Sequence, residues 1–278
     1  MPSTNDIVSP KGLFALFKGA PNTGKSVAAD SFPDVFKFDF DRKMPTVSQK
    51  HYPGKMFTWE CFDDVFALSD FLKPYMLPTV LGGIAFPHET IVVDTVSSLS
   101  TICLRSVDKT KGTSVPEMMK TLTKKENTVE VMGIDYYNSE FNFFERYFMD
   151  NLKILWAREG NPKHVIVIAH ETTYETSPDL KGNPGKKVSS ILTAGRKAAV
   201  YIPKCFDEEY VFVKETPTFG DQLSRTKWLC HTKSNLHEDA RTCYNFPEVI
   251  DLSSEDLYTQ LNKVAHWSEV PIPEPTFK

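Results

Sequence analysis

The sequence predicts an α/β protein with a mostly parallel central sheet that is covered by helices on both faces. Short apolar runs alternate along the chain with segments of helical periodicity, the order that parallel strands joined by crossover helices produce. The runs at 13–17, 91–93 and 165–169 are apolar throughout, as strands buried on both faces are. The 278 residues, 41% of them hydrophobic, suffice for one large domain. The parts we expect are an N-terminal arm at 1–11, a core at 12–267 and a flexible C-terminal tail at 268–278.

The first elements expected are a strand, a glycine-bearing loop and a helix. The strand at 13–17 leads through the loop into a short helical stretch that stops at Pro33. A second strand follows at 35–40, where three phenylalanines alternate with polar residues in the two-residue period of a strand. The apolar spacing at 62–77 then predicts a helix as far as Pro74.

The middle of the chain is expected to contain two more buried strands and the longest helix. The strand at 90–94 ends in an aspartate and precedes a helix from Ser97 to about Val107. Residues 135–159 place aromatic residues and leucines at three- and four-residue intervals, which predicts a long amphipathic helix. The next buried strand is expected at 164–170. The polar segments expected to form exposed loops are 108–129 and 172–190.

The last elements expected are two strands and a terminal helix. The apolar segments at 210–213 and 227–232 have the length and composition of strands. The helical spacing at 253–267 predicts a helix that begins with Ser253 as its N-cap.

The charge balance excludes one class of nucleic-acid binder. Lys and Arg total 32 and Asp and Glu total 36, and a net charge of −4 argues against a uniformly basic, histone-like protein. Any contact with a polyanion must therefore be local, and two segments are basic: 105–125, and 180–197 without an acidic residue. Taken alone, each is better explained as a solvated loop. The candidate DNA-binding residues of the second segment are Lys181, Lys186, Lys187, Arg196 and Lys197.

The location and the metal content are also constrained. The longest purely apolar runs have five residues, far short of the roughly 18 of a membrane span, and the N-terminus lacks a secretory pattern, so a cytoplasmic protein without a membrane partner is expected. Five scattered cysteines indicate reduced thiols rather than a disulfide framework. The spacing of Cys230, His231, His237 and Cys243 fits no zinc finger or ribbon, so we do not expect a metal there.

Residues 19–26, GAPNTGKS, match the phosphate-binding pattern G-x-x-x-x-G-K-[ST] between a predicted strand and a predicted helix. Gly19 and Gly24 allow the backbone to curl so that successive N–H groups point at a phosphate. In this pattern Lys25 reaches the β- and γ-phosphates and the Ser26 hydroxyl ligates Mg²⁺. The residues expected around bound ATP are Gly19, Ala20, Pro21, Asn22, Thr23, Gly24, Lys25, Ser26 and Val27.

A carboxylate for the metal is expected at the end of a neighbouring strand. Asp94 ends an apolar run and lies 69 positions after Lys25, which leaves room for an intervening strand and helix. We therefore predict that Ser26 and Asp94 hold the Mg²⁺ of bound ATP.

The segment TIVVDTVSSL around Asp94 resembles the Walker B segment of the RecA family, which implies a RecA-like P-loop NTPase core. In that family the strand after the P-loop helix ends in an acidic pair spaced by one residue, and the second acid orients the attacking water. Asp39 and Asp41 match the pair, so the resemblance implies a catalytic Asp41. The family usually has Glu there, and the shorter Asp41 needs the water about one methylene nearer. Two solvated acids at a strand end are the alternative interpretation.

The RecA family also has a polar residue at the tip of a later strand that senses the γ-phosphate and passes its state to a DNA-binding loop downstream. His170 follows the apolar run VIVIA and precedes the acid-free basic segment, so the resemblance implies that it is this sensor. Glu171 is a rival for the same role or for a general base, and a structural strand-end histidine is the alternative. Tyr174 is a weak candidate for stacking on bases.

Within the RecA superfamily, the sequence most closely resembles the phage-encoded, single-domain ATPases of the Sak-four group, which assist single-strand annealing and recombination. The resemblance rests on GAPNTGKS, IVVDT, IDYYNSEF, VIVIAHE and HTKSNLHEDARTCYNFPEVIDLS. Such proteins carry a Lys and an Arg in the last segment that reach the neighbouring subunit's nucleotide, which implies this role for Lys233 and Arg241. The implied partners are single-stranded DNA, further copies of the chain in a ring or filament, and a single-stranded DNA-binding protein.

The expected function is an oligomeric, Mg-ATP-dependent ATPase that binds single-stranded DNA, is stimulated by it and promotes annealing and recombination. A helicase- or loader-type motor would share the ATP machinery but would unwind or translocate DNA. A non-hydrolysing nucleotide-dependent scaffold would be favoured by an inert Asp41. A small-substrate kinase would need an arginine-rich lid over the phosphates, and the sequence has no such segment.

Overall fold

The computed structural model contains a nine-stranded sheet within the residues that it describes. Those residues are 12–77, 81–111, 119–124, 127–132, 138, 141–142, 144–157, 163–175, 187–193, 195–217, 225–234 and 240–267. The strands are β1 (Leu13–Gly19), β2 (Val35–Asp39), β3 (Thr58–Glu60), β4 (Thr90–Asp94), β5 (Met119–Lys124), β6 (Asn127–Met132), β7 (His164–Glu175), β8 (Lys187–Ile191), β9 (Glu208–Glu215), β10 (Lys227–His231) and β11 (Val249–Asp251). The helices are α1 (Lys25–Ala29), α2 (Met44–His51), α3 (Val65–Met76), α4 (Val96–Lys111), α5 (Asp150–Ala157), α6 (Arg196–Tyr201) and α7 (Leu257–Ala265).

The strand order of the main sheet is β11-β10-β9-β1-β7-β4-β2-β3, and β8 pairs with the far end of β7. The six strands from β9 to β3 pair in parallel, whereas β10 and β11 are added antiparallel at one edge. The mostly parallel α/β sheet that the sequence predicts is therefore confirmed. Since all six parallel strands point the same way, their carboxyl ends meet along one edge.

Two apolar clusters cover the two faces of the sheet, and β1 contributes to both. Phe14 and Leu16 belong to the larger cluster, with residues of α3, α4, α5 and α6, while Leu13 and Phe17 belong to the smaller one, with α1 and α7. Burial on both faces explains why these strands are apolar throughout rather than alternating.

Two segments predicted to be loops contain strands. Within 108–129, α4 continues to Lys111, and β5 pairs antiparallel with β6. Within 172–190, β7 continues to Glu175 and pairs antiparallel with β8. Both loop predictions are wrong for these residues. The segments MKTLTK, NTVEVM and ETTYE carry β-branched residues that favour strands. The many lysines and serines around them made both segments resemble polar loops in the sequence. Residues 112–118 and 176–186 lie outside the described residues.

Two helices also differ from expectation. The helix predicted over 135–159 contains a π-helical turn, Glu145–Met149, before α5 begins. The terminal helix α7 begins only at Leu257, because Asp256 caps it by accepting a hydrogen bond from the backbone N–H of Thr259 at 3.0 Å. The prediction of Ser253 as its cap is wrong, since Ser253 lies in the turn before the helix. Besides the strands β5, β6 and β8, the sequence did not predict α2, β3, α6 and β11. In the described part of the chain, every helix is too short or too polar to cross a bilayer.

Candidate active site

The P-loop lies between the carboxyl end of β1 and the amino end of α1. Gly19 has φ +148°, and a Cβ atom there would lie 2.3 Å from the backbone oxygen of Phe212 on β9. Gly24 precedes α1 with φ +91°, a backbone conformation that favours glycine. Both glycines of the motif are therefore required by the shape of the loop.

Lys25 is the first residue of α1 and is buried against the P-loop backbone. Its ammonium group donates hydrogen bonds to the carbonyl oxygens of Gly19 at 2.8 Å and Ala20 at 2.6 Å. Burial lowers the pKa of Lys25 to about 8, although the charges of Asp94 and Glu171 oppose the shift. The cation expected to bind the β- and γ-phosphates thus lies inside the loop that would hold them.

Ser26 and Asp94 face each other across the same site. Asp94 ends β4, and the Ser26 hydroxyl donates a hydrogen bond to its carboxylate. Burial raises the pKa of Asp94, while the charge of Lys37 and the Ser26 hydrogen bond oppose that rise. Mg²⁺ at nucleotide sites is held by one or two protein oxygens together with phosphates and waters, so a hydroxyl and a carboxylate are the donor set that it requires. These residues fit the metal that the sequence predicts.

Two features of the metal end were not predicted. β7 lies between β1 and β4, so the strand that ends in Asp94 is not adjacent to the P-loop strand β1. Lys37, in the middle of β2, is 2% exposed and lies 2.6 Å from Asp30 and 3.7 Å from Asp94. Lys37 thus adds a buried positive charge close to the Asp94 carboxylate.

Asp41 follows β2 and lies in the same cavity as the P-loop. Its Oδ1 atom accepts hydrogen bonds from Thr95 Oγ1 at 3.2 Å and from Ser98 Oγ, and its Oδ2 atom lies 3.0 Å from Lys43 Nζ. Burial acts to raise the pKa of Asp41, but the hydrogen bonds and the charge of Lys43 outweigh it, so the pKa lies below its ordinary value. Asp41 is therefore a fixed, ionised carboxylate rather than a solvated acid at a strand end.

His170 lies on β7 directly beside Gly19 of the P-loop strand. Its Nε2 atom is 4.0 Å from Oδ2 of Asp41, and its buried Nδ1 atom has no hydrogen-bond partner among the described residues. Burial and the charge of Lys25 lower the pKa of His170, so the ring is neutral at pH 7. A neutral imidazole at this position can hydrogen-bond to a ligand in the cavity. Glu171, its rival in the sequence, is the next residue of β7.

A cavity of about 870 Å³ joins these residues. Its lining includes the P-loop, Asp41, Asp94 and His170. The sequence did not predict the rest of the lining, because those residues come from segments without a motif. The unpredicted lining residues include Lys214, Arg225, Thr226, Trp228, Leu252, Ser253, Asp256 and Leu257.

The two residues expected to act in a neighbouring subunit lie outside the lining of this cavity. Lys233 is exposed after β10. Arg241 forms a backbone bridge with Glu209, with N···O distances of 2.8 and 2.9 Å, and its half-exposed guanidinium lies 3.5 Å from the Glu209 carboxylate. Their role in a neighbouring subunit stays a prediction.

The basic segment is described in part. Arg196 and Lys197 are exposed in the first turn of α6, and Lys197 Nζ lies 4.4 Å from the ring centroid of Phe141. Lys187 is the first residue of β8, and Lys181 and Lys186 lie outside the described residues. Binding of DNA by this segment stays a prediction.

The five cysteines are free thiols, and Cys230 is buried in the core, where burial raises its pKa. Among the residues with described side chains, no group of three or more His, Cys, Asp or Glu could hold a metal ion. His237 lies outside the described residues.

Comparisons with known proteins place the chain in a family. No curated protein matches it. Among solved structures, it is similar to the flagellar accessory protein FlaH from Methanocaldococcus jannaschii, at 14% identity over 87% of this chain and 90% of that chain with a TM-score of 0.35. It is also similar to a KaiC-like protein from Pyrococcus horikoshii OT3, at 11% identity over 86% and 89% of the two chains with a TM-score of 0.36. Scores this low carry no conclusion about function. Residues 11–235 match the family AAA_24, described as an AAA domain, and that match covers most of the chain. The chain therefore belongs to the AAA_24 family of AAA domains.

Proposed function

We propose that the protein is a Mg²⁺-dependent ATPase whose catalytic carboxylate is Asp41. The observation that carries this proposal is the fixed, ionised Asp41 in the cavity that also contains the P-loop. An ionised carboxylate can orient a water molecule and accept its proton as the water attacks the γ-phosphate. A site that only binds nucleotide does not require a carboxylate held in this way.

The other residues of the cavity supply charge and hydrogen bonds. Lys25 would exchange its hydrogen bonds to the loop carbonyls for the β- and γ-phosphate oxygens. Mg²⁺ held by Ser26 and Asp94 would neutralise negative charge on the same phosphates. His170, neutral and 4.0 Å from Asp41, would hydrogen-bond to the γ-phosphate or to the attacking water.

We further propose that the ATP site controls binding of single-stranded DNA, as the resemblance to annealing ATPases implies. A path of direct contacts supports the coupling. The backbone oxygen of His170 accepts a hydrogen bond from Leu192 N at 2.7 Å, and the Leu192 oxygen accepts one from Ser97 Oγ at 2.7 Å. Ser97 precedes Ser98, which holds Asp41. A shift at the γ-phosphate would thus reach Leu192, which directly follows β8 and lies four residues before Arg196.

The proposed assembly is a ring or filament in which Lys233 and Arg241 of one subunit approach the ATP of the next. Their position outside the cavity of their own chain supports this arrangement, because a residue that acts in trans need not reach its own site. A phage annealing or recombination protein that works with a single-stranded DNA-binding protein, in the host cytoplasm, is the biological role we propose.

The test is ATP turnover with and without single-stranded DNA. We expect DNA to raise the turnover of the native protein, and Lys25→Ala to abolish turnover under both conditions. A double variant, Arg196→Gln with Lys197→Gln, should keep the basal rate and lose the stimulation. The double variant Lys73→Gln with Lys263→Gln, at two other exposed lysines, is the charge-matched control. Turnover that ignores DNA would contradict the recombination role, and turnover that survives Lys25→Ala would remove the P-loop assignment.

A further inference from the structure

Trp228 forms a wall of the cavity beside the P-loop. It lies on β10, is 37% exposed and lines the same cavity as Lys25 and Asp41. A Cβ atom built on Gly24 would lie 3.3 Å from Cδ1 of the Trp228 ring, so the indole approaches the residue that begins the phosphate-binding helix. The space beside the ring therefore adjoins the space predicted for the phosphates.

The backbone around Trp228 is fixed from both sides. Trp228 pairs with Lys214 across the antiparallel β9–β10 ladder, and its carbonyl oxygen accepts a hydrogen bond from Leu252 N at 2.9 Å. Lys214 Nζ lies 5.9 Å from the centroid of the indole, within the range of a cation–π contact. Arg225 adds a second cation to the same wall. The indole is thus a positioned aromatic surface in a positively charged part of the cavity.

A partly exposed indole that lines a cavity can stack on a flat ligand. Trp228 shares the lining of the cavity with the apolar side chains of Leu252 and Leu257, while Lys214, Arg225 and Asp256 add charged groups. A nucleoside triphosphate combines a charged phosphate chain with a flat, weakly polar base. Its phosphates fit the P-loop, and its base fits against the Trp228 ring.

We propose that Trp228 is the platform on which the base of the bound nucleotide stacks, and that it gives the site a preference for purines. This inference rests on the proposed function, because it concerns the same nucleotide. Stacking depends on ring area and not on the hydrogen-bonding edge, so ATP and GTP should bind similarly and UTP more weakly. The indole acts on binding of the nucleoside and leaves the phosphate contacts to the P-loop.

The experiment is calorimetric titration of the native protein and of Trp228→Ala, Trp228→Phe and Trp59→Ala with Mg²⁺ and three ligands: ATP, UTP and tripolyphosphate. Trp59 is the matched control, since it is 42% exposed on β3, the far edge of the sheet from β10 and β11. We expect Trp228→Ala to weaken ATP binding by about 5- to 150-fold and to reduce the ratio of ATP to UTP affinity. Tripolyphosphate affinity should not change, Trp228→Phe should keep most of the ATP affinity, and Trp59→Ala should behave as the native protein.

The outcomes separate the two proposals. Unchanged ATP binding in Trp228→Ala, or an equal loss of ATP and tripolyphosphate affinity, would overturn the stacking role, and the second result would show that the ring only supports the P-loop. Native protein that binds neither ATP nor tripolyphosphate would overturn the proposed function as well. Thermal unfolding of each variant, compared with the native protein, shows whether a loss of binding reflects a loss of folded protein.

Discussion

His164 makes the stability of the fold depend on pH. The ring is 1% exposed at the start of β7 and packs against Phe32, Tyr258 and Trp267, with ring-centroid distances of 5.1, 5.8 and 4.9 Å. Its Nδ1 atom accepts a hydrogen bond from Leu13 N at 3.3 Å, and Nε2 has no partner among the described residues. An imidazolium in this aromatic pocket would be desolvated without a partner. Burial, and to a smaller degree the charge of Lys163, therefore lower the pKa of His164 to about 3.

The direction of the effect follows from linkage. Above the ordinary pKa of 6.5 the ring is neutral in both the folded and the unfolded chain, so its full contribution to stability is present. As the pH falls below 6.5, His164 becomes protonated in the unfolded chain but stays neutral in the folded chain. The free energy of unfolding therefore decreases until the pH reaches about 3. Each pH unit in this window costs about 1.4 kcal/mol, so a change from pH 7 to pH 5 should lower the free energy of unfolding by about 2 kcal/mol through His164 alone.

Urea unfolding of the native protein and of His164→Phe at pH 7 and pH 5 measures this contribution. Phenylalanine keeps the aromatic contacts, and Leu13 N retains its other acceptor, the Lys163 oxygen at 3.0 Å. We expect the native protein to lose about 2 kcal/mol more than the variant between the two pH values. An equal loss in both proteins would show that His164 protonates in the folded state as readily as in the unfolded chain.

The P-loop, the N-cap of α7 and the hydrogen bond from Ser98 to Asp41 can each be tested by a single substitution. Gly19→Ala should destabilise the fold and abolish ATP binding, because its Cβ atom would lie 2.3 Å from the backbone oxygen of Phe212. The control is Gly54→Ala, with φ +87° but no neighbouring atom within 4 Å, which should cause only backbone strain and keep ATP binding. Equal effects of the two changes on ATP binding in calorimetric titration would argue against a steric requirement at Gly19. Asp256→Ala removes the N-cap of α7 and should lower the free energy of unfolding by about 1 kcal/mol, and a change near zero would mean that the cap is unimportant. Ser98→Ala should shift the acidic limb of the kcat profile to higher pH, because the lost hydrogen bond no longer holds the pKa of Asp41 down; an unmoved limb would show that Asp41 does not control it.

The predicted half of the site was accessible from the sequence because it lies at the carboxyl ends of parallel strands. Gly19, Asp41 and Asp94 each follow or end a predicted strand, and such ends meet at one edge of a parallel sheet. The order of the strands was not accessible, since β7 inserts between β1 and β4 although it follows both in the chain.

The other half depends on contacts between distant segments. Trp228 reaches the P-loop only because β10 is added antiparallel to β9, and its strand sequence KWLCH has no feature that points to a ligand. In the sequence, Lys37 is one of the polar residues of an alternating strand. In the structure it is buried, pairs with Asp30 and donates a hydrogen bond to Ser48 of α2 at 3.3 Å. Burial of a charge of this kind is a property of tertiary packing rather than of local pattern.

Asp41→Asn tests whether Asp41 is the carboxylate of ATP hydrolysis. ATP affinity and turnover of this variant should be measured beside those of Asp63→Asn, a matched change at an exposed carboxylate that pairs with Arg42. We expect Asp41→Asn to bind ATP as the native protein does and to lose about 100-fold or more in kcat, while Asp63→Asn keeps both. Turnover by Asp41→Asn at the native rate would show that Asp41 is not the catalytic carboxylate.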